Sequence, residues 1–501
     1  MNRAPLLSFL VFLGGCAPFE LGHLAPLEDA LLGVDDTHSV ARVVRVDSDP
    51  VQTTEIALAE GHATLVPRPG SGDTEIAIFT EGTLGSEDEL PIPAEVVLVD
   101  RTGELSRWTL PRQFRVAQMS EDGRYLYATA PWGRLVVENE VSVVDLTEPA
   151  GPMNPRSLSL RSLGGEVPSA AAFSEPMPWP DGAPLRLAAL FAAGQLSLFD
   201  LDRPDAPPLT IPTTVNTAAV GPEPVEARFV DQELVVRTAA GSQLLVVSLT
   251  QSLDGARRFD VALRTLAASG RVSAIAVDRR STTPRLIALT GTRVHIYDLE
   301  TSLESSVELP SPYSSILAFE GPAPGDPTTR PRLVLWGTSP SLTFLELGDE
   351  PSAVMDASAL PLAFTPSHVV ADGAAGRLLA FVGGGHGGGF DVAGSAGRTP
   401  ASVIDLYDRS ALALATTPDV SRAAVSSDLS DVWIASGDGY VNRFDIDTRS
   451  QEELWLDDPV QSLLPLPGSA QRVLAFHELP AGSFTILAPG DTAPRHVGGV
   501  F

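Results

Sequence analysis

The segment "EVVLVD" at residues 95–100 is a short apolar strand that ends in an acidic residue, and the same pattern returns along the chain. The further copies are "EVSVVDL" (140–146), "QLSLFDL" (195–201), "QLLVVSL" (243–249, with serine for the acid), "RVHIYDL" (293–299), "SLTFLEL" (341–347), "ASVIDL" (401–406) and "VNRFDI" (441–446). They recur at roughly 40 to 60 residues, the period of a unit of four short strands in a propeller blade.

The residues around each acidic strand supply the other strands of the unit. In "FRVAQMSEDGRYLYATA" (114–130), one strand leads into Glu121-Asp122-Gly123 and a second leads out. Asp-Gly between alternating apolar residues is a strong hairpin signal, because glycine accepts the positive φ of the turn. A polar turn and one more strand, such as "GELSRWTL" (103–110), follow the acidic strand. We expect the acid to cap that turn by accepting backbone N–H bonds.

Nine hairpin-plus-strand units can be counted after residue 62, and a further strand pair at 41–59 could close the ring by joining the last blade. Because propellers typically have four to eight blades, we predict one all-β domain. It is a single β-propeller of about eight four-stranded blades, with seven and nine as alternatives. The predicted boundaries are a signal peptide at 1–15, a tether or short helix at 16–38 and the propeller at 39–501.

Two stretches resemble known propeller repeats. "SEDGRYLYATA" (120–130) with the later "VSVVDL" resembles the YVTN repeat of bacterial surface and periplasmic propellers. "SSDLSDVWIASGDGYVNRFDIDT" (426–448) is similar to a WD40 repeat, with Phe444-Asp445 where that family often has Trp-Asp. The resemblances imply the fold but no single activity, because propellers host unrelated functions.

Cys16 is the only cysteine in the 501 residues, and it follows a short apolar run. A positive start, a short apolar stretch and small residues before the cut site describe a secretory signal. The run is about half of the ~20 residues that a membrane-spanning helix needs. Leu13-Gly14-Gly15-Cys16 resembles the lipobox of bacterial lipoproteins, which implies that Cys16 becomes the acylated first residue of the mature chain. The alternative is a plain signal peptide with an incidental cysteine.

The lipoprotein resemblance implies the bacterial cell envelope, and the absence of aspartate after Cys16 favours the outer membrane. The chain has 34 basic and 63 acidic residues, a net charge of −29, and none of the basic residues is lysine. Such a charge repels phosphate backbones and anionic headgroups. We therefore expect no nucleic-acid partner, membrane attachment through acyl chains on Cys16, and a monomer.

The glycine-rich stretch "FVGGGHGGGFDVAGSAG" (381–397) contains G-x-G-x-x-G after a strand. A dinucleotide-binding loop needs a helix at the third glycine, and the glycines and proline that follow here prevent one. We interpret the stretch as a long loop between two strands of one blade. The alternative is a binding loop that exposes His386 and Phe390 at a propeller face, and Trp132 and Trp179 in other Pro/Gly-rich loops are further candidates for a partner contact.

No catalytic template fits the chain. "HELP" (477–480) begins like H-E-x-x-H, but Pro480 prevents the helix and Ala481 stands where the second histidine would be. The eight histidines form no close pair at metal-ligand spacing, although ring closure could gather some of them. We assign no catalytic residue, no metal ligand and no cofactor, and leave a structural calcium ion in a turn or in the channel as an alternative.

Two functions are compatible with these sequence features. The first is a lipid-anchored, non-enzymatic binding or scaffold protein for another envelope protein or polymer. The alternative is a propeller enzyme, a lactonase or glycan-cleaving enzyme, with its site at the central channel, where single residues from several blades meet. Clustered carboxylates or histidines there favour the enzyme, whereas small apolar residues such as Ala171, Ala274 and Ala423 favour binding.

Overall fold

The computed structural model describes the main part of the chain, with gaps. The described residues are 23–69, 74–85, 90–131, 140–179, 182–192, 194–212, 224–239, 241–251, 259–278, 284–301, 303–323, 326–348, 354–372, 376–386, 389–392, 401–414, 420–426, 429–436, 439–467, 471–477, 483–490 and 494–498. They form strands and one short 3₁₀ helix, Leu160–Leu163. None of the helical structure in these ranges is long and apolar enough to cross a bilayer.

The strands are numbered in chain order. The first twenty are β1 (His23–Leu27), β2 (Ala30–Asp35), β3 (Val40–Arg45), β4 (Gln52–Ala57), β5 (Ala63–Pro67), β6 (Ile76–Thr80), β7 (Glu95–Asp100), β8 (Gly103–Thr109), β9 (Phe114–Met119), β10 (Tyr125–Pro131), β11 (Glu140–Asp145), β12 (Arg156–Ser159), β13 (Ala170–Phe173), β14 (Leu187–Ala192), β15 (Gln195–Asp200), β16 (Leu209–Pro212), β17 (Pro224–Val230), β18 (Glu233–Thr238), β19 (Gln243–Gln251) and β20 (Phe259–Ala267). The remainder are β21 (Ala274–Asp278), β22 (Arg285–Leu289), β23 (Arg293–Asp298), β24 (Glu304–Glu308), β25 (Tyr313–Ala323), β26 (Asp326–Gly337), β27 (Ser341–Leu347), β28 (Val354–Pro361), β29 (His368–Asp372), β30 (Arg377–Phe381), β31 (Gly383–His386), β32 (Gly389–Val392), β33 (Ala401–Asp405), β34 (Ser410–Ala413), β35 (Val420–Val425), β36 (Asp431–Ser436), β37 (Tyr440–Asp445), β38 (Ser450–Trp455), β39 (Val460–Pro465), β40 (Val473–His477), β41 (Phe484–Leu487) and β42 (Arg495–Val497).

These strands form a single β-propeller of ten antiparallel blades. Four consecutive strands make each blade, except in blade 8, where β29 and β30 are followed by β33 and β34, and in blade 9, which carries β31 and β32 in addition to β35–β38. The four-stranded blade predicted from the repeat is confirmed. The predicted number of about eight, with seven or nine as alternatives, is wrong.

The nine units counted after residue 62 are blades 2 to 10, and the tenth blade, blade 1, lies at the start of the chain. The predicted tether at 16–38 contains β1 and β2, so the described part of the propeller already includes residues from His23 onward. The strand pair at 41–59 joins these two strands in blade 1 and does not belong to the last blade. All six residues of β2 are buried. A strand buried on both faces shows no alternation of apolar and polar residues, which is why the sequence does not reveal it.

The eight repeated segments that ended in an acid, or in Ser248, are the third strands of blades 2 to 9. Six of the acids accept a hydrogen bond from a backbone N–H in the following turn, as expected. These bonds are Thr102 N to Asp100 (2.6 Å), Thr147 N to Asp145 (3.0 Å), Asp202 N to Asp200 (3.0 Å), Thr301 N to Asp298 (2.8 Å), Tyr407 N to Asp405 (2.8 Å) and Thr448 N to Asp445 (2.9 Å). Glu346 instead pairs with Arg332 and Arg409.

The predicted Asp-Gly hairpin turn in blade 3 is confirmed at Gly123. This glycine has φ +69°, and its N–H donates to the carbonyl of Ser120 at 2.9 Å. A Cβ at this position would collide with the carbonyl oxygen of Pro69 in blade 2. Glycine is required here both by the left-handed turn and by the close approach of the neighbouring blade.

Apolar residues between neighbouring blades make the core. Each of the ten clusters of buried residues joins two adjacent sheets, and one of them packs Leu31 and Val44 of blade 1 against Leu474 and Phe484 of blade 10. Arg495 also donates to the carbonyl of Val46 at 2.8 Å. The ring is therefore closed by face-to-face packing of two complete sheets, not by exchange of a strand.

The first strand of each blade lies nearest the axis, where several first strands contact those of neighbouring blades. We call the face on which these strands begin the start face, and the face on which they finish the end face. The hairpin β31–β32 is inserted between the second and third strands of blade 8 and pairs with the inner edge of β35, with Gly389 opposite Ala424 and Phe390 opposite Ala423. Residues 383–386 and 389–392 of the glycine-rich stretch are thus strands, and they lie at the inner edge of blade 9.

Candidate functional site

A cavity of about 1100 Å³ opens on the axis side of blades 3 to 5. Its walls are residues 118–122 at the end of β9, residues 169–173 and 175–178 in and after β13, and residues 225–229 in β17. Val277 at the end of β21 completes the wall from blade 6. The cavity exceeds the usual 300–1,000 Å³ range of small-molecule pockets, and it extends toward the end face.

The wall on blade 4 is mainly apolar. Ala171, one of the small residues expected on the inner strands, lies in it on β13, together with Phe173. Phe173 is held by two tyrosines of blade 3, with ring centroids 5.3 Å from Tyr125 and 5.1 Å from Tyr127. Burial raises the pKa of Tyr127, and its hydroxyl donates to Gln118 Oε1 at 2.6 Å. Val225 on the blade 5 wall has 45% of its surface exposed.

Carboxylates predominate among the charged groups of the wall. Five acidic side chains face one guanidinium, that of Arg228; the acids are Glu121, Asp122, Glu175, Glu226 and Asp231. Arg228 contacts Glu121 at 3.0 Å and Glu226 Oε1 at 3.0 Å. Arg237 holds the other oxygen of Glu226 at 2.8 Å. The wall therefore carries a net negative charge, although Glu226 itself is neutralised.

A second constellation lies at the start face, between blades 1 and 2. His23 begins β1, Asp36 follows β2, and His62 precedes β5, so the closed ring brings three separate segments together. Asp36 Oδ2 is 2.9 Å from His62 Nδ1 and 3.6 Å from His23 Nε2. The two imidazole rings meet edge to face, with centroids 5.4 Å apart. The three donor atoms all lie within 4.8 Å of one another.

Backbone hydrogen bonds fix two members of this cluster. Asp36 Oδ1 accepts from Ala63 N at 3.2 Å, which turns Oδ2 toward the histidines. The carbonyl of His62 accepts from Glu81 N at 3.0 Å. Burial raises the pKa of the Glu81 carboxyl, and it interacts electrostatically with His62 and Asp36. Spacing along the chain did not identify these three residues as ligands, although ring closure was recognised as a way to bring histidines together.

The structure describes only some of the candidate residues named from the sequence. Trp179 was expected in an exposed loop, but only 7% of its surface is exposed and it packs between blades 4 and 5. Cys16, Leu13, Gly14, Gly15 and Trp132 lie outside the described residues. The backbones of His386 and Phe390 lie in β31 and β32, and their side chains are outside the described part of the structure.

No protein-family model matches the chain. No curated protein matches it either. Among solved structures, it is similar to "Dihydro-heme d1 dehydrogenase NirN in complex with DHE", with 12% sequence identity and a TM-score of 0.40 over 72% of this chain and 71% of that chain. These values are too low to transfer a ligand or a reaction to this chain.

Proposed function

We propose that this protein is a lipid-anchored propeller of the bacterial cell envelope that binds another envelope protein or polymer without catalysing a reaction. The partner inserts a segment into the cavity on the axis side of blades 3 to 5. The single observation that carries the proposal is the combination of an apolar wall with a surplus of carboxylates in a cavity of about 1100 Å³. The partner segment accordingly carries apolar and basic side chains.

The charges of the wall determine which kind of partner the cavity would accept. Both oxygens of Glu226 are engaged by arginines, at 3.0 Å by Arg228 and at 2.8 Å by Arg237. Excess negative charge steers a positive partner and disfavours partners of the same sign.

The alternative, a propeller enzyme acting at the channel, is favoured by the carboxylates that cluster in this cavity and by a second observation. His23 and His62 lie at the starts of the first strands of blades 1 and 2, and Asp36 follows the second strand of blade 1. Together they have the residue types of a metal-activated hydrolytic site. This alternative would be favoured if the protein turned over a lactone or a glycan and if this activity required both His23 and His62.

Photo-crosslinking in intact cells tests the binding proposal. A photoreactive residue at Val225 lies on the cavity wall, whereas one at Leu412 lies on the outermost strand of blade 8. Both residues are partly exposed in the protein, 45% for Val225 and 39% for Leu412. Leu412 is therefore a matched control for Val225. We expect a defined adduct from Val225 and none from Leu412.

Two results would count against the proposal. Equal adducts from both positions would mean that the partner does not select the cavity. The absence of any adduct from Val225, with the protein present at its normal level, would mean that the cavity is not occupied in the cell.

A further inference from the structure

From the geometry of the cluster at the start face we infer that His23, Asp36 and His62 form a binding site for a divalent transition-metal ion, with Zn²⁺ as the best fit, that links blade 1 to blade 2. The inference concerns the opposite face from the proposed partner cavity and is independent of it. It adds a metal site where the sequence revealed no ligand set.

The distances between donor atoms suit such an ion. Two ligands about 2.1 Å from a tetrahedral Zn²⁺ lie about 3.4 Å apart. The measured separations from Asp36 Oδ2 are 2.9 Å to His62 Nδ1 and 3.6 Å to His23 Nε2, on either side of that value. The donor atoms of the two histidines lie within 4.8 Å of each other, so rotation of the half-exposed imidazole rings would bring all three donors into the first coordination sphere.

The donor types select the class of metal. Imidazole nitrogen suits Zn²⁺, Cu²⁺, Ni²⁺ and Fe²⁺, whereas Ca²⁺ takes six to eight oxygen ligands. Two histidines and one carboxylate are the ligand set of several zinc and non-haem iron sites that keep a position open for water or substrate. The site therefore differs in chemistry from the structural calcium ion considered from the sequence.

The surroundings favour a preformed site. Ala63 N donates to the second oxygen of Asp36, an outer hydrogen bond of the kind that orients metal-ligating carboxylates. The exposed fractions of the three side chains, 39% for His23, 28% for Asp36 and 55% for His62, leave room for an ion to enter and for a fourth ligand from solvent.

Metal binding at this site can be tested with metal salts alone. The full mature chain carrying Cys16→Ser contains no thiol, so thiolate binding cannot contribute. We titrate it with Co²⁺ and follow d–d absorption, then displace Co²⁺ with Zn²⁺, and measure the melting temperature with and without metal. We expect one Co²⁺ per chain, displacement by Zn²⁺, and a melting temperature that rises with metal, since an ion bound only by the folded state stabilises it.

Matched variants assign the ligands. His23→Gln and His62→Gln should each weaken binding at least about tenfold, because even outer-shell substitutions cost 10- to 100-fold. His368→Gln changes an exposed histidine of blade 8 that bonds Ser367, and it should bind as the parent does. Asp36→Asn keeps the side-chain shape and the acceptor for Ala63 N, so it tests the ligand if a histidine variant fails to fold.

The inference is overturned if the parent chain binds neither Co²⁺ nor Zn²⁺ at one site per chain up to millimolar concentration. It is equally overturned if binding persists undiminished in His23→Gln, His62→Gln and Asp36→Asn.

Discussion

Replacing Cys16 by serine is expected to move almost all of the protein from the membrane fraction to the soluble fraction. The proposed anchor is a set of acyl chains on this residue, and each buried CH₂ contributes about 0.8 kcal/mol to membrane binding. The net charge of −29 opposes adsorption to anionic headgroups, so nothing in the composition replaces the lost chains. Fractionation and metabolic labelling with a radioactive fatty acid measure the effect.

The control is Leu13→Ile, which keeps the apolar run and the cysteine but alters the residue that guides lipoprotein processing. We expect it to slow maturation without removing the acylation site. A Cys16→Ser protein that loses residues 1–15 and still stays with the membrane, or a parent chain that takes up no label, would show that the cysteine is incidental and that the signal peptide is of the ordinary secretory type.

Removal of the carboxylate in Asp278→Ala is expected to lower the free energy of unfolding by about 3–5 kcal/mol, the usual cost of breaking a buried ion pair. Asp278 and Arg285 face each other across β21 and β22, with Asp278 Oδ2 accepting from Arg285 Nη2 at 2.6 Å and from Nε at 3.0 Å. Only 1% of Arg285 is exposed. Its third nitrogen donates to the carbonyl of Gly348 at 2.6 Å, so the pair also links blades 6 and 7.

Glu55→Ala provides the comparison for Asp278→Ala. Glu55 pairs with Arg42 at 2.8 Å across β3 and β4, but 61% of its side chain is exposed. Exposed pairs contribute about 0–1 kcal/mol because water screens them. Urea unfolding of the Cys16→Ser chain measures both variants. Similar losses for Asp278→Ala and Glu55→Ala would contradict the structural role given to the buried pair.

The third strands could be predicted from sequence because each combines an apolar run with a local capping interaction. The acids Asp100 and Asp445 each accept a backbone N–H within the next three residues, so the signal lies within a few positions of the strand. Blade 10 was counted from its hairpin alone, because its third strand, Phe484–Leu487, is only four residues long and has no acid at its end. Blade 1 escaped this search because β2 is buried throughout and shows no alternation.

The candidate sites were less predictable because they depend on contacts between blades. His23 and His62 belong to different blades, and only their packing brings them to Asp36. Trp179 lies in a proline-rich segment that resembles an exposed loop. Hydrogen bonds between Met177 and Leu185, at 2.8 and 2.9 Å, fold that segment back and bury the ring.

The affinity of the purified protein for the partner identified by crosslinking tests whether the cavity receives a basic segment. We compare the parent chain with Val225→Arg, which adds positive charge to the acidic wall, and with Val225→Gln, a neutral change that adds bulk. Leu412→Arg adds the same charge on the outer strand of blade 8. We expect Val225→Arg to weaken binding at least tenfold, about 1.4 kcal/mol. The affinities of Val225→Gln and Leu412→Arg should stay within about threefold of the parent affinity, or ~0.65 kcal/mol. Parent-like affinity in Val225→Arg would contradict the proposal that this cavity receives a basic partner segment.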